Sequence, residues 1–316
     1  MEIKNYKKGD EYLIIEMFEL VFKQKMSLEQ WQWRFAKNPA GNHQIKLMWD
    51  GNKLIGHYAV SPIKIMVNGE LTLTAHSLTT MTHPEYGGRG IFKTLSLDLY
   101  NDLENKLGCK AIWGYPNNNS HFGFINSLGW SNIAVIHTMG ISADKILKNV
   151  IPLNILSFDR FTDAHETYIN SKLNNQFNVY IERSKDYLNW RYVEKPAVVY
   201  KKYEISNDGK KGIIVTKVYP SLTKDVFDLN IVECYLDDYT LLHNYIYFIM
   251  KDYQLQFSRI TIWKSLFDKE HLQLEKNGFV PVVPQTYLGA RIHSTMPTCF
   301  SNIQNWYIAM GDSDVF

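Results

Sequence analysis

Tyr86-Gly87-Gly88-Arg89-Gly90-Ile91-Phe92 places three glycines and an arginine between a β-like run and an amphipathic stretch. Upstream, Leu71–Thr82 is rich in threonine and loosely alternating, which predicts a strand. Strict alternation would separate His76, Leu78 and Thr80 on one face from Ser77 and Thr79 on the other. His83-Pro84 ends that run, because proline donates nothing to a ladder. Downstream, Phe92, Leu95, Leu99 and Leu103 recur at the spacing of one helical face, with Lys93, Asp98, Asp102, Glu104 and Lys106 on the others. Gly108 stands where a helix ending left-handed prefers glycine. The order strand, glycine loop, helix N-terminus makes an anion site. First-turn amides lack internal partners, the helix dipole adds partial positive charge, and glycines let a phosphate approach. The spacing is neither the dinucleotide-binding G-x-G-x-x-G nor a Walker loop, and an ordinary glycine turn is the competing reading.

A second segment follows. Ile112-Trp113-Gly114-Tyr115-Pro116 predicts the next strand, then come Asn117-Asn118-Asn119-Ser120 and a short helix ending at Leu128-Gly129-Trp130. Together, residues 71–130 resemble the acyl-CoA-binding region of the GNAT (Gcn5-related N-acetyltransferase) superfamily, whose loop reads Gln/Arg-x-x-Gly-x-Gly/Ala. Gly90 matches the central glycine, while Gly87 and Phe92 depart at the first and last positions. The resemblance implies acyl-CoA as co-substrate. It would be held by backbone at Thr80, Met81 and Thr82, by Tyr86, Gly87, Gly88, Arg89, Gly90, Ile91 and Phe92, and by Asn118 and Asn119. It also implies direct attack of an amine on the thioester, without a covalent enzyme intermediate. A free alkylamine is mostly protonated at neutral pH, so a base is useful. His76, on the strand before the loop, and His121, at the start of the short helix, are the candidates. The tyrosine that protonates the leaving thiolate in many relatives would fall on Ile125, with Tyr86 and Tyr115 nearby.

Composition narrows the field. The 316 residues are 45% hydrophobic with a net charge of +2, so the core is ample and no global basic field argues for nucleic acid. Met1–Lys8 has no secretory apolar region, and no apolar run reaches transmembrane length, so membrane insertion is not expected. Cys109, Cys234 and Cys299 are few and scattered, suggesting a reducing cytoplasm and no metal site.

The chain also repeats itself. Ser27…Trp33-Arg34-Phe35…Pro39 parallels Ser184…Trp190-Arg191-Tyr192…Pro196. Asp50-Gly51 parallels Asp208-Gly209, Ile112-Trp113 parallels Ile262-Trp263, His121 parallels His271, and Leu128-Gly129-Trp130 parallels Asn277-Gly278-Phe279. The fold class expected is α/β (α+β): two tandem GNAT-like lobes, each a mixed, mainly antiparallel sheet flanked by helices. Residues 1–145 are the acyl-CoA lobe. Residues 146–316 are a degenerate lobe that shapes the acceptor pocket or is structural, because Asp237-Asp238 replaces the glycines.

The layout resembles bacterial nucleotide-sugar N-acyltransferases of the superfamily. That implies acetyl or 3-hydroxybutanoyl transfer to a dTDP-linked amino-dideoxysugar for surface polysaccharide, with Arg34, Arg183, Arg191 and Arg291 available for the diphosphate. Aminoglycoside, polyamine or peptide acceptors, an aminoacyl-tRNA-dependent peptidyl transferase, and a non-catalytic CoA-binding module are the alternatives.

Overall fold

In a computed structural model of the chain, residues 1–148 and 151–316 are described. The order begins β1 (Glu2–Asn5), α1 (Glu11–Phe22), α2 (Leu28–Phe35), β2 (Gln44–Asp50), β3 (Lys53–Val67), β4 (Glu70–Thr82), α3 (Ile91–Leu107), β5 (Ala111–Gly114), α4 (Asn118–Leu128) and β6 (Ser131–Ser142). It continues β7 (Ile155–Ser157), α5 (Asp163–Asn174), β8 (Val179–Ile181), α6 (Lys185–Tyr192), β9 (Lys201–Asn207), β10 (Lys210–Pro220), β11 (Val226–Leu236), α7 (Leu242–Tyr253), β12 (Gln256–Trp263), α8 (His271–Lys276) and β13 (Val280–Ile292). The architecture is mixed α/β, with mostly antiparallel sheets flanked by helices.

The chain forms two compact units. One comprises Met1–Ala134, Glu194–Val198 and Tyr287–Asn302; the other comprises Val135–Val193, Val199–Thr286 and Ile303–Phe316. The first break falls at Ala134/Val135 instead of near residue 145, and a late segment of the chain returns to the first unit. The internal repeat is visible in both. Helices α2 and α6 each run eight residues behind a serine N-cap, Ser27 accepting from the Gln30 amide and Ser184 from the Tyr187 amide. Gly129 and Gly278 follow their short helices with left-handed φ of 70° and 82°.

In the first unit β1, β2, β3 and β4 are antiparallel in that order, β4 and β5 are parallel, and the C-terminal half of β13 closes on β5 antiparallel. The β3–β4 hairpin turns on Asn68 and Gly69, both left-handed, as a two-residue turn of right-handed strands requires. Helices α1 and α2 cover one face through Ile14, Met17, Trp31 and Phe35. Helices α3 and α4 cover the other through Leu95, Leu99, Leu103, Phe124 and Leu128. Gly56 lets α3 seat flush on the sheet, since a Cβ there would stand 2.4 Å from the Ile91 side chain.

Strand β4 is not regular. Its register with β3 slips between His57 and Ala59, and Thr79 has a left-handed φ of 47°. This bulge alters the expected alternation. Leu78 packs in the α1–α2 core, while Thr79 Oγ1, on the same side, accepts from Arg34 Nη1 at 3.0 Å. Met81 returns to that core, so Thr80 stands with Ser77 on the α3 face. The bulge is pinned a second time, because His57 Nδ1 donates to the Thr79 carbonyl at 2.7 Å. His57 is fully buried and its Nε2 has no partner, so burial pushes its pKa down to about 4.

The second unit orders its strands β6-β12-β11-β10-β9-β7, with only β11 and β12 parallel. Helix α7 seals one face through Leu242, Ile246 and Ile249. A charged knot is buried within the unit. Arg183 Nη2 meets Asp312 at 2.5 Å and Glu233 at 3.0 Å, while Tyr192 and Tyr235 hydroxyls also donate to Glu233. Among the described residues, no helix is long and apolar enough to cross a membrane, and Cys109 and Cys234 are buried free thiols.

Two consequences are measurable. His57 is neutral in the fold but takes a proton near 6.5 when unfolded, so the unfolded chain binds more protons as pH falls from 6.5 towards 4. Its stabilisation is complete above 6.5 and is lost over that window, about 3 kcal/mol in all. Denaturant titrations should give His57→Gln a lower plateau and a shallower acid limb than wild type; parallel limbs would contradict this. Arg183→Met leaves Glu233 and Asp312 buried without their cation and should cost about 3–5 kcal/mol by the same assay.

Candidate active site

The glycine loop opens with one tight turn over Pro84–Tyr86. Gly88 and Gly90 then take left-handed φ of 74° and 73°, and a Cβ on either would meet nothing within 4 Å. Their glycines therefore serve the backbone path and leave open space beside it. Gly90 is the N-cap of α3 and offers no side-chain cap. Thr94 is the residue whose amide bonds back to the Gly90 carbonyl, at 3.0 Å, so the amides of Ile91, Phe92 and Lys93 precede the helical ladder. The Ile91 side chain is buried, and the Phe92 ring packs edge-on to Phe124 and Tyr58. These two residues thus anchor the helix by their side chains and can offer a ligand only their backbone. Arg89 lies over the Tyr86 ring at 4.6 Å and donates to the Glu85 carbonyl, while the Tyr86 hydroxyl donates to Asp50 at 3.0 Å. The carboxylate of Asp50 holds the Tyr86 hydroxyl's pKa above its ordinary value.

Strands β4 and β5 pair only at Ala75↔Ile112 and His76↔Trp113. Strand β4 runs on to Thr82 while β5 ends at Gly114, so beyond Ser77 the two diverge. The His83 amide bonds to Ile55 of β3, so by strand alternation Thr82 and Thr80 present their backbone groups to the diverging edge. Met81 differs from the expectation placed on it: it pairs with His57 and its side chain is 2% exposed in the α1–α2 core. On the α3 face Ser77 Oγ meets the Tyr58 hydroxyl at 2.9 Å, Tyr58 meets the Tyr100 hydroxyl at 3.0 Å, and Trp130 Nε1 donates to Tyr100 at 3.0 Å. Alternation hides this chain from sequence reading, because its members come from β3, β4, α3 and the residue after α4.

The two histidines lie in different surroundings. His76 is 6% exposed and stacks on Trp113 at 4.7 Å, with Tyr115 edge-on at 6.1 Å. His121 stacks on Tyr287 at 4.0 Å, and its Nε2 bonds Asn132 Oδ1 at 2.6 Å. In the asparagine run Asn117 caps α4, accepting from the Asn119 and Ser120 amides, while the exposed Asn118 and Asn119 begin the helix. Ile125 packs against the α3 core.

The matching place in the second unit is built differently. Strands β11 and β12 part after Ile231↔Ile262, and Asp237 and Asp238 are taken up by the Lys211 and Thr240 amides. Tyr239 is buried and donates to Glu270 at 2.5 Å; Glu270 and Asp268 hold the buried Lys264 at 2.6 and 3.0 Å. The arginines considered for a diphosphate are also committed. Arg183 lies in its knot, and Arg191 is spent on the Gly311, Ser313 and Phe316 carbonyls and the Tyr200 hydroxyl. Arg291 pairs with Glu104, and Arg34 reaches Thr79. Among the described residues no group of three or more His, Cys, Asp or Glu could hold a metal ion.

Against known proteins, residues 2–133 match the family described as Acetyltransferase (GNAT) domain. No curated protein matches the chain. Among solved structures it is similar to a GCN5-related N-acetyltransferase from Anabaena variabilis, at 15% identity and a TM-score of 0.71, covering 92% of this chain and 73% of that one. A GCN5-related N-acetyltransferase from Kribbella flavida follows at 11% identity and 0.66, covering 92% and 70%. The N-myristoyltransferase of Saccharomyces cerevisiae with bound myristoyl-CoA aligns at 11% identity and 0.60, covering 98% and 83%. At these identities the solved structures speak for the fold, and the family match speaks for the first part of the chain. The match over residues 2–133, together with the shared fold, supports an acyltransferase.

Proposed function

We propose that the first unit binds acyl-CoA at residues 86–92 and transfers its acyl group to the primary amine of a small acceptor. The observation that carries this reading is the uncapped N-terminus of α3 behind two left-handed glycines with open space beside them. Backbone amides of the first turn and the Arg89 guanidinium hold the diphosphate. Thr80 and Thr82 supply backbone groups along the edge where β4 leaves β5, and a backbone N–H there steadies the developing oxyanion. Asn118 and Asn119, exposed at the start of α4, line the far side of the bound arm. When bound, acyl-CoA supplies an activated thioester carbonyl. His76, last in the β4–β5 pairing, takes a proton from the acceptor ammonium so that the free amine can attack; His121 holds α4 against Asn132 and Tyr287. Loop residues 237–241 of the second unit carry no such cradle, so one cofactor binds per chain.

For the acceptor, the resemblance to nucleotide-sugar N-acyltransferases makes a nucleotide-linked amino-dideoxysugar the first to try. The internal commitments of Arg183, Arg191 and Arg291 require its diphosphate to find other cations.

Two experiments test this. By calorimetry, Gly90→Val should weaken CoA binding more than tenfold, and Arg89→Ala several-fold. Gly108→Val is the control: Gly108 caps the other end of α3 with a left-handed φ of 61° and equal open space, so its strain is alike but its CoA affinity should stay unchanged. Equal affinities in Gly90→Val and wild type would refute the loop. Second, thiol release from acetyl-CoA and hydroxybutanoyl-CoA should be measured against nucleotide-linked amino sugars, aminoglycosides, polyamines and peptides. Turnover confined to a non-sugar amine would remove the sugar acceptor. His76→Ala should lose rate mainly on the acid side of the profile, and an unchanged profile would remove it as base.

A further inference from the structure

Position 125 raises a chemical question. Ile125 is apolar and packs against the α3 core, so that position offers the departing sulfur no proton. Another donor stands at the fork of the two strands. Ser77 is the first residue of β4 beyond the last β4–β5 pair, and a Cβ on the facing Gly114 would lie only 3.4 Å from the Ser77 carbonyl oxygen. The half-buried Ser77 side chain is on the α3 face, the face of the glycine loop. Five residues of strand, about 16 Å, separate it from Thr82 beside that loop, comparable to an extended pantetheine arm.

Behind Ser77 a chain of buried hydroxyls ends on a fixed donor. Trp130 Nε1–H can only donate, so the Tyr100 oxygen accepts. The Tyr100–Tyr58 and Tyr58–Ser77 bonds can each be donated from either side; when Tyr100 donates to Tyr58 and Tyr58 to Ser77, the Ser77 hydrogen is left for a ligand. Burial raises the Tyr58 pKa well above its ordinary value and that of Tyr100 to about 12, so both remain neutral donors. Each bond in such a chain polarises the next.

We infer that the Ser77 hydroxyl, oriented by Tyr58, Tyr100 and Trp130, donates the hydrogen bond that stabilises the departing CoA thiolate. Ser77 is the catalytic residue in this pairing; the other three are positioning residues. The inference rests on the acyl-CoA reading above. In the step, the acceptor nitrogen bonds to the acyl carbon, the carbon–sulfur bond breaks, and its electron pair stays on sulfur. The acceptor ammonium gives one proton to the base before attack, the nitrogen releases a second to solvent as the amide forms, and Ser77 keeps its own proton while sharing it.

The test needs no acceptor. CoA is bound to the intact protein, and the ultraviolet absorbance of its thiolate is followed against pH. Bound CoA should ionise at lower pH than free CoA. Ser77→Ala should raise that bound pKa by about one unit, a tenfold loss of thiolate stabilisation. CoA affinity at acid pH, where the thiol is protonated, should be unchanged. Ser77→Thr should restore the shift, and Tyr58→Phe should lose a smaller part of it. A bound thiol with the same pKa in wild type and Ser77→Ala overturns the role of Ser77 and leaves the CoA site standing. Failure of CoA to bind the wild type overturns both.

Discussion

The bulge at Thr79 is the constraint on which the first unit depends. Strand β5 ends at Gly114 while β4 runs on to Thr82, and the bulge re-aims the length of β4 that runs on. One left-handed threonine, held by the His57 imidazole at its carbonyl and the Arg34 guanidinium at its hydroxyl, turns the backbone there. The cost of that conformation falls on a residue with no glycine freedom, so two side chains from other elements are needed to maintain it. Arg34 belongs to the Trp-Arg-aromatic motif repeated along the chain. Its counterpart Arg191 donates to the Gly311 carbonyl and the Tyr200 hydroxyl.

Parts of this were legible in the sequence because they are local. The glycine loop, helix α3 with its Gly108 stop, and the serine-capped helices of the repeat follow from spacing and capping alone. The bulge was not legible: a threonine-rich run alternates as a regular strand would, and the residues that break it, His57 and Arg34, lie 22 and 45 positions away. Met81 turns its side chain into the α1–α2 core for the same reason, and Asn117 is the residue that caps α4. The Ser77–Tyr58–Tyr100–Trp130 chain joins four elements and has no periodic signature. Gly56 is a strand glycine whose meaning is the neighbouring Ile91.

The two units show how one framework takes opposite chemical characters. Where the first has glycines, open space and a helix start without a side-chain cap, the second has carboxylates that bond nearby amides and a buried tyrosine linked to Glu270 and Lys264. A buried lysine between two carboxylates balances its own desolvation and needs no external anion.

The return of residues Tyr287–Asn302 to the first unit bears on the order in which the protein is made. Strand β5 receives its antiparallel neighbour from residues 289–292, about 175 positions later in the chain. A ribosome therefore adds about 175 further residues before that edge can be covered. Closing so long a loop is entropically slow, and an exposed strand edge invites wrong pairing in the meantime. The short length of β5, four residues, limits that hazard during synthesis.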